Sequence, residues 1–348
     1  MSVETLWFVL TAIMLAAYVV LDGFDLGAGI VHYSVARNEK ERRIVLRSIG
    51  PVWSGNEVWL LAAGGTLFLA FPAVYASSFS GFYLGLMMLL WLLILRGLSI
   101  EFRSYIDDPV WKPFWDAGFM GSSALLAIIF GVALGNIVRG VPLDASGQFF
   151  LPLWTDFGVK GELGIFDWYT VSVAALAFLT LAQHGALWIA MKTDGDVQRR
   201  ARRVTSVAWV GVTAMTIIVT ALTVQVQPQV SVNLANHVQG YVLPALAFGG
   251  LLAIRGCQRA RRDVAAFLAS CAYILAMLAS AAFGVFPYLL PARPDPSLGL
   301  TIQNAATGSY GLKVALAWWI PGMVLTVGYF VLTYRHFAGK SRVDGEGY

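Results

Sequence analysis

Charge is what this sequence has least of. Asp, Glu, Lys and Arg make up 13% of its 348 residues, against roughly 25% in a soluble domain. So few charges cannot clothe a water-facing surface. With 58% hydrophobic residues and a mean hydropathy of +0.68, the chain calls for an apolar solvent. Cysteine is nearly missing. Cys257 and Cys271 form no C-x-x-C or metal spacing and read as inert thiols. They exclude a cysteine-held iron–sulfur cluster, which takes about four ligands. The four histidines, His32, His184, His237 and His336, make no H-x-x-x-H pair and no His/Met pairing at ligand spacing. Each reads as hydrogen-bonded rather than ligating, so no metal site is expected and no cofactor-binding residue is assigned. Walker loops, nucleotide fingerprints, zinc motifs and nucleophile elbows are all missing. The start, Met1-Ser2-Val3-Glu4, lacks the basic segment of a cleavable secretory signal, so the first apolar run reads as a retained helix.

What is present is a series of long apolar runs, at 4–35, 56–79, 80–102, 114–138, 167–191, 204–227, 238–256, 264–290 and 312–334. Each can cross a bilayer, which takes ~20 residues as a helix. Lipid offers no partner to backbone N–H and C=O groups, so helices are expected. A closed barrel would need alternating ten-residue segments, and these runs do not alternate. Trp and Tyr gather near many of the ends, among them Trp7, Trp111, Trp115, Trp168, Tyr288, Trp319 and Tyr334, as in an interfacial belt. The predicted architecture is an all-α membrane protein of nine spans. It forms one polytopic domain over 1–339, followed by a polar, mobile cytoplasmic tail at 340–348.

Orientation follows from the basic residues. Lys and Arg crowd the first, third, fifth and seventh loops and the C-terminal tail. The intervening connections hold only Arg139, Lys160, Arg293 and Lys313 of the 24. Basic loops stay cytoplasmic, which puts the N-terminus outside and the C-terminus inside and requires an odd number of spans. The pI near 9.1 then reflects loops facing anionic lipid, not nucleic acid. Two outer connections, 139–166 and 287–311, are rich in Pro and Gly and read as structured caps. A faint internal echo, Asp22-Gly23 against His184-Gly185, fits two four-helix halves plus one extra helix, and fits coincidence equally.

Ionisable residues inside spans are costly and demand an account. Asp22 and Asp25, three apart in Asp22-Gly23-Phe24-Asp25-Leu26-Gly27-Ala28-Gly29, share one face of the first helix. Such a pair can hold and pass protons, or can simply be hydrogen-bonded into the packing. The glycines around it allow close helix approach. Gly50-Pro51-Val52-Trp53-Ser54-Gly55-Asn56-Glu57 opens the second run. Pro51 suits a helix start, Ser54 or Asn56 can cap it, and Glu57 gives it a polar mouth. Arg96, the deepest cation, needs a carboxylate from Asp22, Asp25 or Glu57. Glu101 with Arg103 reads as an interface marker. Asp116 completes an acidic cluster on the cytoplasmic side around one buried Arg. By these features alone, a secondary transporter remains an alternative.

These stretches carry a resemblance. DGFDLGAG at 22–29, ERRIVLRSIGPVWSGNEVWLLAAGG at 41–65, FPAVYASSFSGFY at 71–83, RGLSIEFR at 96–103, GVALGNIVRGVP at 131–142 and LTIQNAATGSYGLKVALAWW at 300–319 stand in one order. Together they resemble subunit II of the cytochrome bd-type quinol oxidases, including the cyanide-insensitive branch. The resemblance implies two four-helix bundles plus a peripheral helix in a bacterial inner membrane. It implies a partner subunit I that holds haem b and haem d and the quinol, and in some members small single-helix subunits. The complex would reduce O2 to water and generate proton-motive force. Subunit II would hold no haem, would stabilise subunit I and would offer a cytoplasmic proton route; some members also hold a structural quinone. The family's Trp-x-Gly-Asn segment often has Asp where this chain has Ser54, and that Asp is proposed to admit protons. Here entry either shifts to Glu57, Asp22 or Asp25, or this subunit contributes less.

Overall fold

The computed structural model describes residues 1–341. The chain runs through α1 (Val3–Val35), a short α2 (Glu39–Ile49), α3 (Trp53–Ala70), α4 (Pro72–Gly81), α5 (Tyr83–Phe102) and α6 (Trp111–Arg139). It continues through α7 (Trp168–Lys192), α8 (Gly195–Val226), α9 (Pro228–Asn236), α10 (Val242–Arg259), α11 (Asp263–Val285) and α12 (Ser309–His336). Local chemistry sets several of the starts. Ser2 caps α1 by accepting from Thr5 N at 3.2 Å, and Asn38 caps α2 by accepting from Glu41 N at 3.0 Å. Asp167 and Thr170 close a capping box on α7.

Among the described residues, eight helices are long and apolar enough to cross a membrane: α1, α5, α6, α7, α8, α10 with the turn before it, α11 and α12. The run expected at 56–79 is corrected: it is two helices, α3 and α4, parted at Phe71-Pro72. Proline has no N–H to continue a helix but is well placed to open one, and Pro72 is the first residue of α4. The run at 264–290 also ends early, at Val285. Although α3 carries Asn56 and Glu57 in its first turns, it still runs the length of the bundle, antiparallel to α1. Asn56 Nδ2 donates to Leu21 O at 3.2 Å, Thr66 Oγ1 to Met14 Sδ at 3.2 Å, and Ala70 O accepts from Thr307 N at 2.9 Å.

One bundle comprises α1, α3, α5 and α6, and the other α7, α8, α10 and α11, with α12 lying outside. The seam is the crossing of α1 and α7. A Cβ on Gly27 would stand 2.0 Å from Leu181 O, and one on Gly185 would stand 2.1 Å from the Gly27 carbonyl carbon. The two backbones touch there, as glycine alone permits. Beside them His184 is fully engaged. Its Nε2 lies 2.9 Å from Val20 O, its Nδ1 2.7 Å from Ser270 Oγ, and its ring stacks on Phe267.

At the end opposite the basic loops, the two long connections fold onto each other. Val141 N donates to Pro291 O at 3.0 Å and Arg293 N to Val141 O at 2.8 Å. Strands β1 (Tyr288–Leu290) and β2 (Leu300–Thr301) pair antiparallel, and Leu143, Leu151, Leu290, Ile302 and Ala305 are buried beneath them. The tail expected to be mobile is tied down where it begins. Lys340 Nζ donates to Thr193 O at 2.8 Å and Ser341 N to Lys192 O at 2.7 Å. The rest of that tail, 342–348, lies outside the described residues.

Candidate functional site

The basic end of the first bundle gathers the buried charges. Three residues turn a helix short of a full turn by about 60°, so Asp22 and Asp25 of α1 diverge toward different neighbours. Asp22 meets Arg96 of α5. Nη1 reaches Oδ2 and Nη2 reaches Oδ1, each at 2.7 Å, with both side chains fully enclosed. Trp53 covers the guanidinium, its ring centre 5.6 Å from Cζ. Of the three carboxylates the sequence offers to Arg96, helix phase selects Asp22.

Asp25 has no cation of its own among the described residues. Its Oδ2 accepts from Asn56 Nδ2 at 2.8 Å, while its Oδ1 is enclosed and has no hydrogen-bond partner among the described residues. Asn56 passes the connection on, because its Oδ1 accepts from Tyr334 Oη of α12 at 2.8 Å. Asp25, Asn56 and Tyr334 therefore form one hydrogen-bonded line across three helices. Glu57 stands half-buried in the field of Arg96 and Asp22. Ser54 is exposed on α3 and joins none of this. The expected cap is also corrected: α3 begins after Val52 with no side-chain cap, Ser54 stays on the surface, and Asn56 is spent on Asp25 and Tyr334.

A second centre lies closer to the end of the bundle, and Asp116 belongs to it rather than to Arg96. Arg103 is a fork between two carboxylates. Its Nε and Nη2 donate to Asp116 at 2.6 and 3.0 Å, and its Nη1 and Nη2 to Glu39 at 3.0 and 2.7 Å. Asp116 also takes His32 Nε2 at 2.9 Å and Arg42 Nη1 at 3.3 Å. The reading of Arg103 as an interface marker is therefore corrected. It is 1% exposed, and the basic end holds two buried arginines rather than one. This centre ties together the ends of α1, α2, α5 and α6. Beside it, Glu41 bridges the bundles: it pairs with Arg200 of α8 at 2.6 Å and accepts from Arg37 N at 2.7 Å.

Burial opposes the Glu41 anion, but Arg200 and the backbone donors outweigh it and hold the carboxyl below the usual Glu range. A carboxyl whose value is lower folded than unfolded stabilises the fold above the unfolded value. It loses that contribution as pH falls through the folded one. The thermal midpoint of the purified protein is expected to drop as pH falls below about 4.5, the ordinary Glu value, and less so in Glu41→Gln. Identical midpoint-versus-pH curves for the two proteins would exclude this bridge as a source of acid sensitivity.

The sequence profile of the family Cytochrome bd terminal oxidase subunit II matches residues 3–337. The chain belongs to the cytochrome bd terminal oxidase subunit II family. The cytochrome bd-I ubiquinol oxidase subunit 2 of Escherichia coli is 31% identical to it, over 89% of this chain and 87% of that relative. The cytochrome bd ubiquinol oxidase subunit 2 of Bacillus subtilis is also 31% identical, over 90% and 89%. A probable cytochrome oxidase subunit 2 of Haemophilus influenzae matches at 31% over 96% and 94%. The structure of bd oxidase from Geobacillus thermodenitrificans shares the fold, with a TM-score of 0.77 at 19% identity over 97% of this chain and 99% of that one. This subunit II is thus a component of a quinol oxidase, an oxidoreductase, and the transporter alternative falls away.

Two features of this subunit II escaped the sequence. Arg139, counted among the outer loop charges, is wholly buried at the far end of α6. It pairs with Asp167 and donates to Gly164 O at 3.0 Å and Asn136 Oδ1 at 2.7 Å. The only signal for this was the order Asn136…Arg139…Asp167 across a Gly-rich connection. The second feature is a groove of about 770 Å³ between α1, α3 and α12, walled by Trp7, Met14, Gly65, Trp318, Trp319 and Met323. No cluster of His, Cys, Asp or Glu placed to hold a metal ion occurs among the described residues.

Proposed function

We propose that this subunit II carries protons from the cytoplasm toward a haem-bearing subunit I. In this reading the complex oxidises quinol with O2, subunit I would hold haem b and haem d and supply the electron transfer, and the uptake contributes to proton-motive force. The observation that carries the reading is Asp25, a fully enclosed carboxyl with one oxygen fixed by Asn56 and the other unpartnered. Asp22 is committed to Arg96 and cannot take a proton without breaking a buried ion pair. Asp25 can load and release one at its free Oδ1 without that penalty. Glu57, half-buried on the neighbouring turn of α3, serves as the entry carboxyl. Ser54 can hold water at the mouth but cannot carry a proton as a neutral acid. Entry therefore shifts inward to Glu57 and Asp25. The crowding of Lys and Arg at this end supports its being cytoplasmic, with the N-terminus outside.

Asp25→Asn keeps the hydrogen bond to Asn56 but cannot ionise. Turnover of the purified complex is expected to fall about tenfold or more, with haem absorbance and subunit ratio unchanged. Glu57→Gln is expected to fall less. Full turnover and full proton uptake in both variants would sink the route and leave this chain an assembly subunit. As to the quinone some family members hold, the groove beside α12 supports such a ligand. Its walls suit an isoprenoid tail, and Trp319, one of the lining residues, has a buried Nε1–H with no hydrogen-bond partner among the described residues.

A further inference from the structure

The helix that supplies Tyr334 is the least anchored in the chain. Of the 28 residues of α12, only Leu312 is buried, at its far end, where Leu312 O accepts from Trp7 Nε1 at 3.1 Å. What fixes the Tyr334 end is a reciprocal arrangement of two helix C-termini. A helix leaves its last carbonyls unsatisfied, and a cation there is favourable. Lys192, the last residue of α7, donates its Nζ to Phe337 O just past α12, at 2.7 Å. In return, the segment after α12 caps α7. Ser341 N donates to Lys192 O at 2.7 Å, and Lys340 Nζ to Thr193 O at 2.8 Å while standing 3.5 Å from Asp194 Oδ1. The Lys192 ammonium also lies 5.4 Å above the Trp188 ring. That ring meets Tyr334 edge-on at 6.3 Å and is held in turn by Nε1 donating to Ser48 O at 3.1 Å.

We propose that Lys192 and Lys340 form a clamp that holds Tyr334 in register with Asn56, which makes them positioning residues for proton delivery. The inference rests on the Asp25–Asn56–Tyr334 line being a proton route. Tyr334 is three residues from Phe337, so slack at the clamp is felt at the hydroxyl within one turn. Neither lysine is hydrogen-bonded or ion-paired to Asp22, Asp25 or Glu57. They act only by restraining α12.

The test uses the intact complex. Lys192→Met and Lys340→Ala are each expected to lower turnover about threefold, the scale of a lost helix-terminal cation, with KM for quinol unchanged. Lys192→Arg, which keeps the charge and donors, is expected to restore most of the loss. In a Tyr334→Phe background, Lys192→Met is expected to lower turnover no further, since coupled residues are not additive. Amide exchange over 330–338 should quicken in both lysine variants. Additive losses, or failure of Lys192→Arg to recover activity, overturn the action through Tyr334. Unchanged exchange overturns the clamp itself. If Asp25→Asn and Tyr334→Phe both keep full turnover, the proton route fails and takes the positioning role with it. Exchange then still decides whether the tie between the two helix ends exists.

Discussion

Arg96→Gln is expected to remove most of the assembled complex from the membrane. The substitution leaves the Asp22 carboxylate fully enclosed with no cation in contact. Breaking a buried pair by taking away one partner costs about 3–5 kcal/mol, a large share of the ~5–15 kcal/mol that holds a typical domain together. Trp53, which now lies over the guanidinium, would also lose its neighbour. The double variant Asp22→Asn/Arg96→Gln presents two neutral amides instead and should recover part of the yield. Haem absorbance per unit of membrane protein, together with the thermal midpoint of the purified complex, reads both outcomes. Wild-type yield in Arg96→Gln would show that the pair is not needed to hold α1 to α5.

The second large effect is expected at the seam. Gly27→Val has no space to occupy. A Cβ there would stand 2.0 Å from Leu181 O, 2.6 Å from Gly185 N and 2.8 Å from Gly185 Cα, all of them backbone atoms. No side chain can swing aside to make room, so α1 and α7 must separate. Overpacking ordinarily costs about 1–3 kcal/mol. Here the separation would also pull His184 from Val20 O and open the contacts of Phe24 with Trp188, which places the expected cost at or above the upper end. Gly185→Val should match it, and the pair should be less than additive because both force the same gap. Gly121→Ala, where a Cβ meets nothing within 4 Å, is the control and should be tolerated. Thermal midpoints of the purified complexes, compared across the four variants, test the claim. A midpoint for Gly27→Val equal to that of Gly121→Ala would refute it.

The sequence disclosed most of what depends on solvent and little of what depends on rotation. Apolar runs and one-sided basic loops are responses to lipid and to its charged surface, so a long apolar helix could be read from each of most runs, though not where 56–79 divides or where 264–290 ends. Pro72 was read through, because membrane helices tolerate an interior proline, as α12 does at Pro321. Which carboxylate meets Arg96 depends on how α1 and α5 are turned about their axes, and three candidates fitted the composition. Asp116 was grouped with the acidic cluster around Arg96 because it enters from the same side. It pairs with Arg103 instead because α6 starts beside the end of α5. Tyr334 went unnoticed as a site residue since a tyrosine near a helix end reads as belt, and its partner Asn56 lies 278 residues away. Ser54 drew attention by resemblance and proved to be at the surface. The residue that continues the line inward was its neighbour Asn56.

The pairing of Asp22 with Arg96 spans 74 residues of chain. At ~5–20 residues per second of synthesis, α1 precedes its counter-ion by roughly 4–15 seconds. The Gly185 backbone against which Gly27 packs emerges later still. The first helix of this protein must therefore wait at the membrane with an unmatched carboxyl, settled only when later helices arrive to claim both of its faces. A nascent chain arrested before α5 is an orphan with a definite chemical mark, a membrane segment holding Asp22 without Arg96, the cation that answers it.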